Sequence, residues 1–148
     1  MFRGSSFHTI DDKGRIIVPT RFRDLIKSSE LNGVMVSRMD RCLVGYTIDE
    51  WIKIEEKILS LARKSERMRR FRRVFIGGAH ECVCDKQERI LIPPMLRQYA
   101  QLEKEIVIVG VLDHFEIWSK DKWELENNAL EKDLEDEDFR SEISDLGL

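Results

Sequence analysis

Apolar residues in the first fifty positions come in short bursts, each closed by a turn-forming residue. Phe7 and Ile10 precede Asp11-Asp12-Lys13-Gly14, Ile16-Ile17-Val18 runs into Pro19, and Val34-Met35-Val36 follows Gly33. Runs this short, with bounding Asp, Gly and Pro, predict strands. The expected order is a strand at 7–10, a tight turn at 11–14 and a return strand at 15–18. A short helix then runs from Pro19 to about Lys27, followed by strands at 34–38 and 42–46 joined at 39–41. Then the period changes. Trp51, Ile54, Ile58 and Leu61 recur at helical spacing, and Thr47 and Glu50 have the spacing of a capping box. This helix is expected to break near Ser65.

The same pattern returns further along. Asp11, Arg15, Ile16-Ile17-Val18 and Pro19 lie over Asp85, Arg89, Ile90-Leu91-Ile92 and Pro93, and Arg23 falls on Arg97. After a two-residue length difference, Val34-Met35-Val36 lies over Ile106-Val107-Ile108, Leu43 over Phe115, Tyr46 over Trp118 and Trp51 over Trp123. The chain therefore reads as α+β: two tandem ββαββ half-units with flanking helices. The first copy is placed at 5–47, a linking helical segment at 48–76, the second copy at 77–120, and an acidic C-terminal helix or tail at 121–148. Ser119 is expected to cap a helix beginning near Trp123, with the last residues frayed. One copy is too small to bury a sufficient core alone, so the two are expected to interlock in one closed β-barrel. Two independent miniature domains are the alternative.

Composition (42% hydrophobic, 36% charged) supports a packed core and argues against global disorder. The formal charge of −3 conceals an asymmetry. Residues 1–73 carry a net +7, residues 74–123 a net −2, and residues 124–148 a net −8. No apolar run approaches a membrane span, and the start lacks a secretory pattern, so a cytoplasmic protein without a membrane partner is expected. Three cysteines, Cys42, Cys82 and Cys84, do not make a disulfide framework, which suits a reducing compartment.

Local positive charge directs attention to nucleic acid. The first turn offers Lys13 and Arg15 around Gly14, a residue that lets backbone approach a phosphate closely. Arg3 precedes the first strand, and Arg21 and Arg23 lie in the short helix. These six residues are the candidate DNA contacts. Arg15 suits a bidentate guanine contact or a phosphate. Against this stands an architectural reading, in which Asp11–Arg15 and Asp85–Arg89 are ion pairs that pin their turns. The basic run at 63–73 would place Arg63, Arg67 and Arg70 on one helical stripe. It reads first as a solvated face or a partner for an acidic tail, and second as a phosphate-facing helix. Met68 and Phe71 are assigned to the core or a subunit contact.

Other chemistries find less support. His80, Cys82 and Cys84 alternate along a strand, but no second ligand pair accompanies them, so no metal or other cofactor is expected. No nucleophile–base arrangement, zinc helix or phosphate loop surrounds the three histidines or Gly77-Gly78, so no catalytic residues are assigned and the chain is not expected to be an enzyme. Tyr46, Trp51, Trp118 and Trp123 occupy paired places, which favours packing over base stacking.

The N-terminal Met-Phe-Arg-Gly, the two D-x-x-x-R turns, each followed by three apolar residues and Pro, and the intervening helix resemble the MraZ family of bacterial regulators. The resemblance covers about residues 1–130. It implies an AbrB-like swapped-hairpin fold and a homo-oligomeric ring. It also implies binding to direct repeats in the promoter DNA of the cell-division and cell-wall gene cluster, usually as a repressor, in the cytoplasm and at the nucleoid. One departure is Glu88, where the family usually has Gly before the second Arg. It costs backbone strain if the position needs positive φ, and it puts negative charge beside Arg89. Two rival functions are a non-DNA oligomeric assembly module and an AbrB-like antitoxin.

Overall fold

The computed structural model describes residues 1–27, 32–61 and 65–148. The first copy contributes β1 (Ser5–Thr9), β2 (Arg15–Ile17), α1 (Thr20–Lys27), β3 (Gly33–Met39) and β4 (Cys42–Thr47). Two helices follow, α2 (Ile48–Ser60) and α3 (Glu66–Gly77). The second copy repeats the series as β5 (His80–Val83), β6 (Arg89–Leu91), α4 (Pro94–Tyr99), β7 (Glu105–Gly110) and β8 (Phe115–Ser119). The chain ends in α5 (Lys120–Asp133) and α6 (Glu137–Ser144). Among the described residues no helix is long and apolar enough to cross a membrane.

The copies exchange strands. β1 does not pair with β2 but lies antiparallel to β7, Phe7 facing Val107, while β5 lies against β3, Cys82 facing Val34. With β3–β4, β4–β8 and β7–β8 this makes a six-stranded antiparallel sheet ordered β1-β7-β8-β4-β3-β5. β2 and β6 pair only with each other, as a separate two-stranded ribbon with Ile16 opposite Ile90. The sheet is not closed into the expected barrel, since β1 and β5 stay at its two ends. The reason is visible in the packing. The ribbon buries Ile16 and Ile90 on the sheet face and so covers the core that closure would have covered.

Strand alternation divides the interior in two. One face of the sheet, under the ribbon, α1 and α4, collects Val34, Val36, Leu43, Ile106, Ile117 and Phe115. The other face, under α2 and α3, collects Cys42, Val44, Trp51, Phe75 and Trp118. The repeated aromatic positions meet in equivalent pairs, Tyr46 with Trp51 at 5.8 Å and Trp118 with Trp123 at 6.2 Å. Phe71 stacks on Phe75 at 5.1 Å, whereas Met68 stays exposed. Cys82 and Cys84 are buried against the first core, and burial pushes both thiols up, Cys82 to about 12.

Helix ends refine the sequence reading. The Thr47 hydroxyl accepts from the Glu50 N–H at 3.3 Å, but the Glu50 carboxylate turns to Lys53 at 2.7 Å, so only half of the capping box forms. Ser65 caps α3, which places the helix break where it was expected. Ser119 caps α5 through the Lys122 N–H, and that helix starts at Lys120, ahead of Trp123. The acidic end continues into a further helix, α6, whose N-cap Asp136 accepts from the Phe139 N–H. Neither α5 nor α6 buries a residue.

The β7–β8 turn carries a titrating cluster. His114 lies 2.7 Å from Asp113 Oδ1 and 3.3 Å from Glu116 Oε2, and stacks on Tyr46 at 5.0 Å. The hydrogen bond to Glu116 is the main reason the imidazole is raised above 6.5. Burial pushes the Glu116 carboxyl up, but hydrogen bonds from His114 and Trp118 outweigh it and hold it below 4.5. The pair therefore stabilises the fold fully between these two ordinary values. Its contribution fades as pH rises through the raised imidazole value, and again as pH falls through the lowered carboxyl value. The melting-temperature advantage of the native chain over His114→Gln is expected to shrink from about pH 6 to about pH 8. An advantage that holds constant or grows across that range would show the imidazole to be neutral.

Candidate nucleic-acid interface

The two D-x-x-x-R segments fold into equivalent turns. Asp11 Oδ1 accepts from the Lys13 N–H at 3.0 Å and the Arg15 N–H at 2.8 Å, and Asp85 Oδ1 accepts from Gln87 at 2.8 Å and Arg89 at 2.9 Å. Each Oδ2 takes the arginine Nε, at 2.6 Å in the first turn and 2.9 Å in the second. The backbone N–H of the arginine is the largest influence holding each aspartate below its usual value. Both ion pairs of the architectural reading thus exist. The spacing works because an Asp side chain reaches N–H groups two and four residues on, a side-chain imitation of a backbone turn. The residue before each arginine must then be left-handed: Gly14 has φ +88° and Glu88 φ +62°. Glu88 bears the strain that Gly14 avoids.

Between the turns runs the β2–β6 ribbon. Arg15 stands opposite Leu91 and Ile17 opposite Arg89, with Ile16 and Ile90 turned inward. The outer face therefore presents two arginines and two exposed aliphatic residues, Ile17 and Leu91. Asp11 engages Arg15 through Nε, and no other side-chain partner of Arg15 occurs among the described residues. Its terminal guanidinium nitrogens are the ones that suit a guanine edge or a phosphate.

The six candidate residues separate into three groups. Lys13, Gly14 and Arg15 stay together in the first turn, with Lys13 exposed. Arg3 and Arg21 form a second group, since Arg21 Nε donates to the Arg3 carbonyl at 3.0 Å and its guanidinium sits 5.0 Å from the centre of the Phe22 ring. Arg23 belongs to neither. It lies 3.9 Å from Glu88 in the second turn, which also receives Lys27 Nζ at 2.8 Å. The exchange of strands explains this placement. The Val18 N–H donates to the Glu88 carbonyl at 3.0 Å, which ties the start of α1 to the turn of the other copy.

By the same crossing, α4 is tied to the first turn. The Ile92 N–H donates to the Gly14 carbonyl at 2.9 Å, and the Arg97 guanidinium lies over Gly14. Arg97 is thus a cation of the first turn that sequence reasoning left out. The signal that finds it is its alignment with Arg23, combined with a strand exchange.

On α3, Arg67, Arg69 and Arg70 are exposed, and Arg70 pairs with Glu66 at 3.4 Å. Arg63, the first residue of the expected stripe, lies outside the described residues. Among the described residues no group of three or more His, Cys, Asp or Glu side chains could hold a metal ion.

Comparison with known proteins gives a coherent result. The family model described as "MraZ protein, putative antitoxin-like" matches residues 1–73 and 75–142. The "Transcriptional regulator MraZ" of Desulforapulum autotrophicum is 63% identical over 148 residues, covering 100% of both chains. A protein of the same name from Desulfosudis oleivorans is 56% identical, also over 100% of both. That of Moorella thermoacetica is 46% identical over 124 residues, 84% of this chain and 85% of its own.

Proposed function

Because the chain belongs to the MraZ family, we propose that it is a transcriptional regulator that binds double-stranded DNA in a sequence-specific way. On this reading it represses its own cell-division and cell-wall gene cluster through direct repeats in the promoter. The observation that carries the reading is the first turn, where an aspartate buttresses Arg15 through Nε, next to an exposed Lys13. A two-stranded antiparallel ribbon fits the major groove, and its basic turn supplies backbone neutralisation together with one arginine able to read a base. Arg3 and Arg21 extend the contact along the backbone. Arg23 contributes less, since Glu88 shares its charge.

The strand exchange supports reading the copies, 5–47 and 77–120, as a swapped-hairpin pair joined by 48–76 and extended by 121–148. A homo-oligomeric ring of such subunits engages several repeats at once, and avidity makes up for weak single contacts. The protein works without a cofactor or catalytic chemistry, in the cytoplasm and on the nucleoid.

A gel-shift titration with the duplex upstream of its own gene tests this. Affinity is expected to fall between about 50 and 200 mM salt with a log–log slope of several, near 0.9 for each phosphate neutralised. Absence of a shift at low salt, or binding indifferent to salt, would overturn the proposal.

A further inference from the structure

The two turns share their hydrogen bonds and their left-handed residue, but they differ in what lies beside that residue. At the second turn the Glu88 side chain leaves the backbone and meets two cations from α1, Lys27 at 2.8 Å and Arg23 at 3.9 Å. At the first turn the equivalent residue is glycine, and the equivalent of Arg23 is Arg97 from α4. The Arg97 guanidinium fills the position of the missing side chain, with Nε and Cζ both 2.7 Å from where a Cβ would stand. Arg97 has no carboxylate. Among the described residues its side chain makes no hydrogen bond or ion pair, and Nε is buried without an acceptor.

A buried guanidinium N–H left unpaired is costly, more so than a neutral donor. At the second turn the equivalent arginine, Arg23, also has a buried Nε without an acceptor, but a carboxylate accompanies its guanidinium, Glu88 Oε1 lying 3.9 Å from Nη1; the group that goes with this cation is an oxyanion, and Arg97 lacks one. We infer that Arg97 is a phosphate-binding residue of the first turn, taking from the nucleic-acid backbone the anion that Glu88 supplies internally at the second. The inference rests on the DNA-binding reading above and adds a residue from the other copy to it. It also gives Glu88 a role. Its carboxylate occupies the cations of the second turn and keeps that turn from competing for backbone phosphate. Each subunit then offers one phosphate-binding turn, assembled from both copies: Lys13 and Arg15 from the first, Arg97 from the second.

The test compares Arg97→Ala, Gly14→Glu and Arg15→Ala with the full-length native chain, titrating both promoter and unrelated duplex at several salt concentrations. Melting temperature and oligomeric mass are followed in parallel. Arg97→Ala is expected to lower affinity about tenfold on both duplexes and to reduce the salt slope by about one, the signature of a phosphate contact. Gly14→Glu transplants the internal carboxylate and is expected to lose more affinity than Arg97→Ala. It should still fold, because Glu88 shows that a glutamate is accepted in this conformation. Unchanged affinity and slope in Arg97→Ala, with binding lost in Arg15→Ala, would overturn the inference and leave the DNA reading standing. Failure of the native chain to bind either duplex would overturn both. Should Arg97→Ala fail to fold, native-like binding by a folded Gly14→Glu refutes the inference on its own.

Discussion

Arg15→Ala is expected to lower affinity for the promoter duplex by roughly ten- to hundredfold, the range for losing one well-placed bidentate arginine contact. The loss should be larger on promoter than on unrelated DNA if Arg15 reads a guanine, and equal on both if it binds phosphate. The variant also removes half of the Asp11–Arg15 pair, so a modest fall in melting temperature accompanies it. The Asp11 bonds to the Lys13 and Arg15 N–H groups survive, however, and these hold the turn. Arg89→Ala is the matched control, because Arg89 makes the same Nε contact to its own aspartate. It sits beside Glu88, and its loss should reduce stability with little effect on DNA. If Arg15→Ala dissolves the oligomer while Arg89→Ala selectively loses DNA, the division of labour between the two turns is wrong.

The second large effect lies in the core. Phe115 is 2% exposed and packs with Phe2 at 5.4 Å and Phe22 at 5.7 Å between ring centres. Its ring rests on Gly45 of the neighbouring strand, where any Cβ would overlap it. Phe115→Ala is expected to cost about 3–5 kcal/mol, with a fall in melting temperature of roughly 6–20 °C. Gly45 has no side chain with which to fill the void, which favours the upper end. Gly45→Ala alone should destabilise by about 1–3 kcal/mol through overpacking. In the Phe115→Ala background the same change meets no ring and should cost far less. A double-mutant cycle that comes out additive would contradict the contact.

The exchange of strands was half legible in the residues. Matching Asp11–Pro19 to Asp85–Pro93 predicted two copies that need one another, and small copy size supplied the reason. Which helix guards which turn was not legible, because it depends on pairings between residues far apart in sequence. Residue type alone therefore does not distinguish Arg23, which meets the second turn, from Arg97, which meets the first. The closed barrel failed for a related reason. Alternating apolar positions show that a strand has an inner face, but not whether β2 continues the sheet or leaves it to lie on top. Local signals fared better. The glycine of the first turn raises the question of a left-handed position before the arginine, which for Glu88 the residues leave conditional, and Glu88 does adopt that conformation at φ +62°. Capping residues at Thr47 and Ser119 were readable from type alone, but the first residue of α5 was not, since helix starts are set by backbone bonds that several nearby residues can supply.

The pairing of β1 with β7 sets a timetable for synthesis. Ser5 must wait for Val109 and Thr9 for Glu105, so the opening strand leaves the ribosome with nothing to bind until most of the polypeptide has been made. Contacts of such long sequence separation slow folding and leave early segments exposed. A nascent chain stalled ahead of β7 would carry an unpaired, Phe7-bearing strand, a natural client for a chaperone. Release of the finished C-terminal copy is the event that allows both halves to fold together.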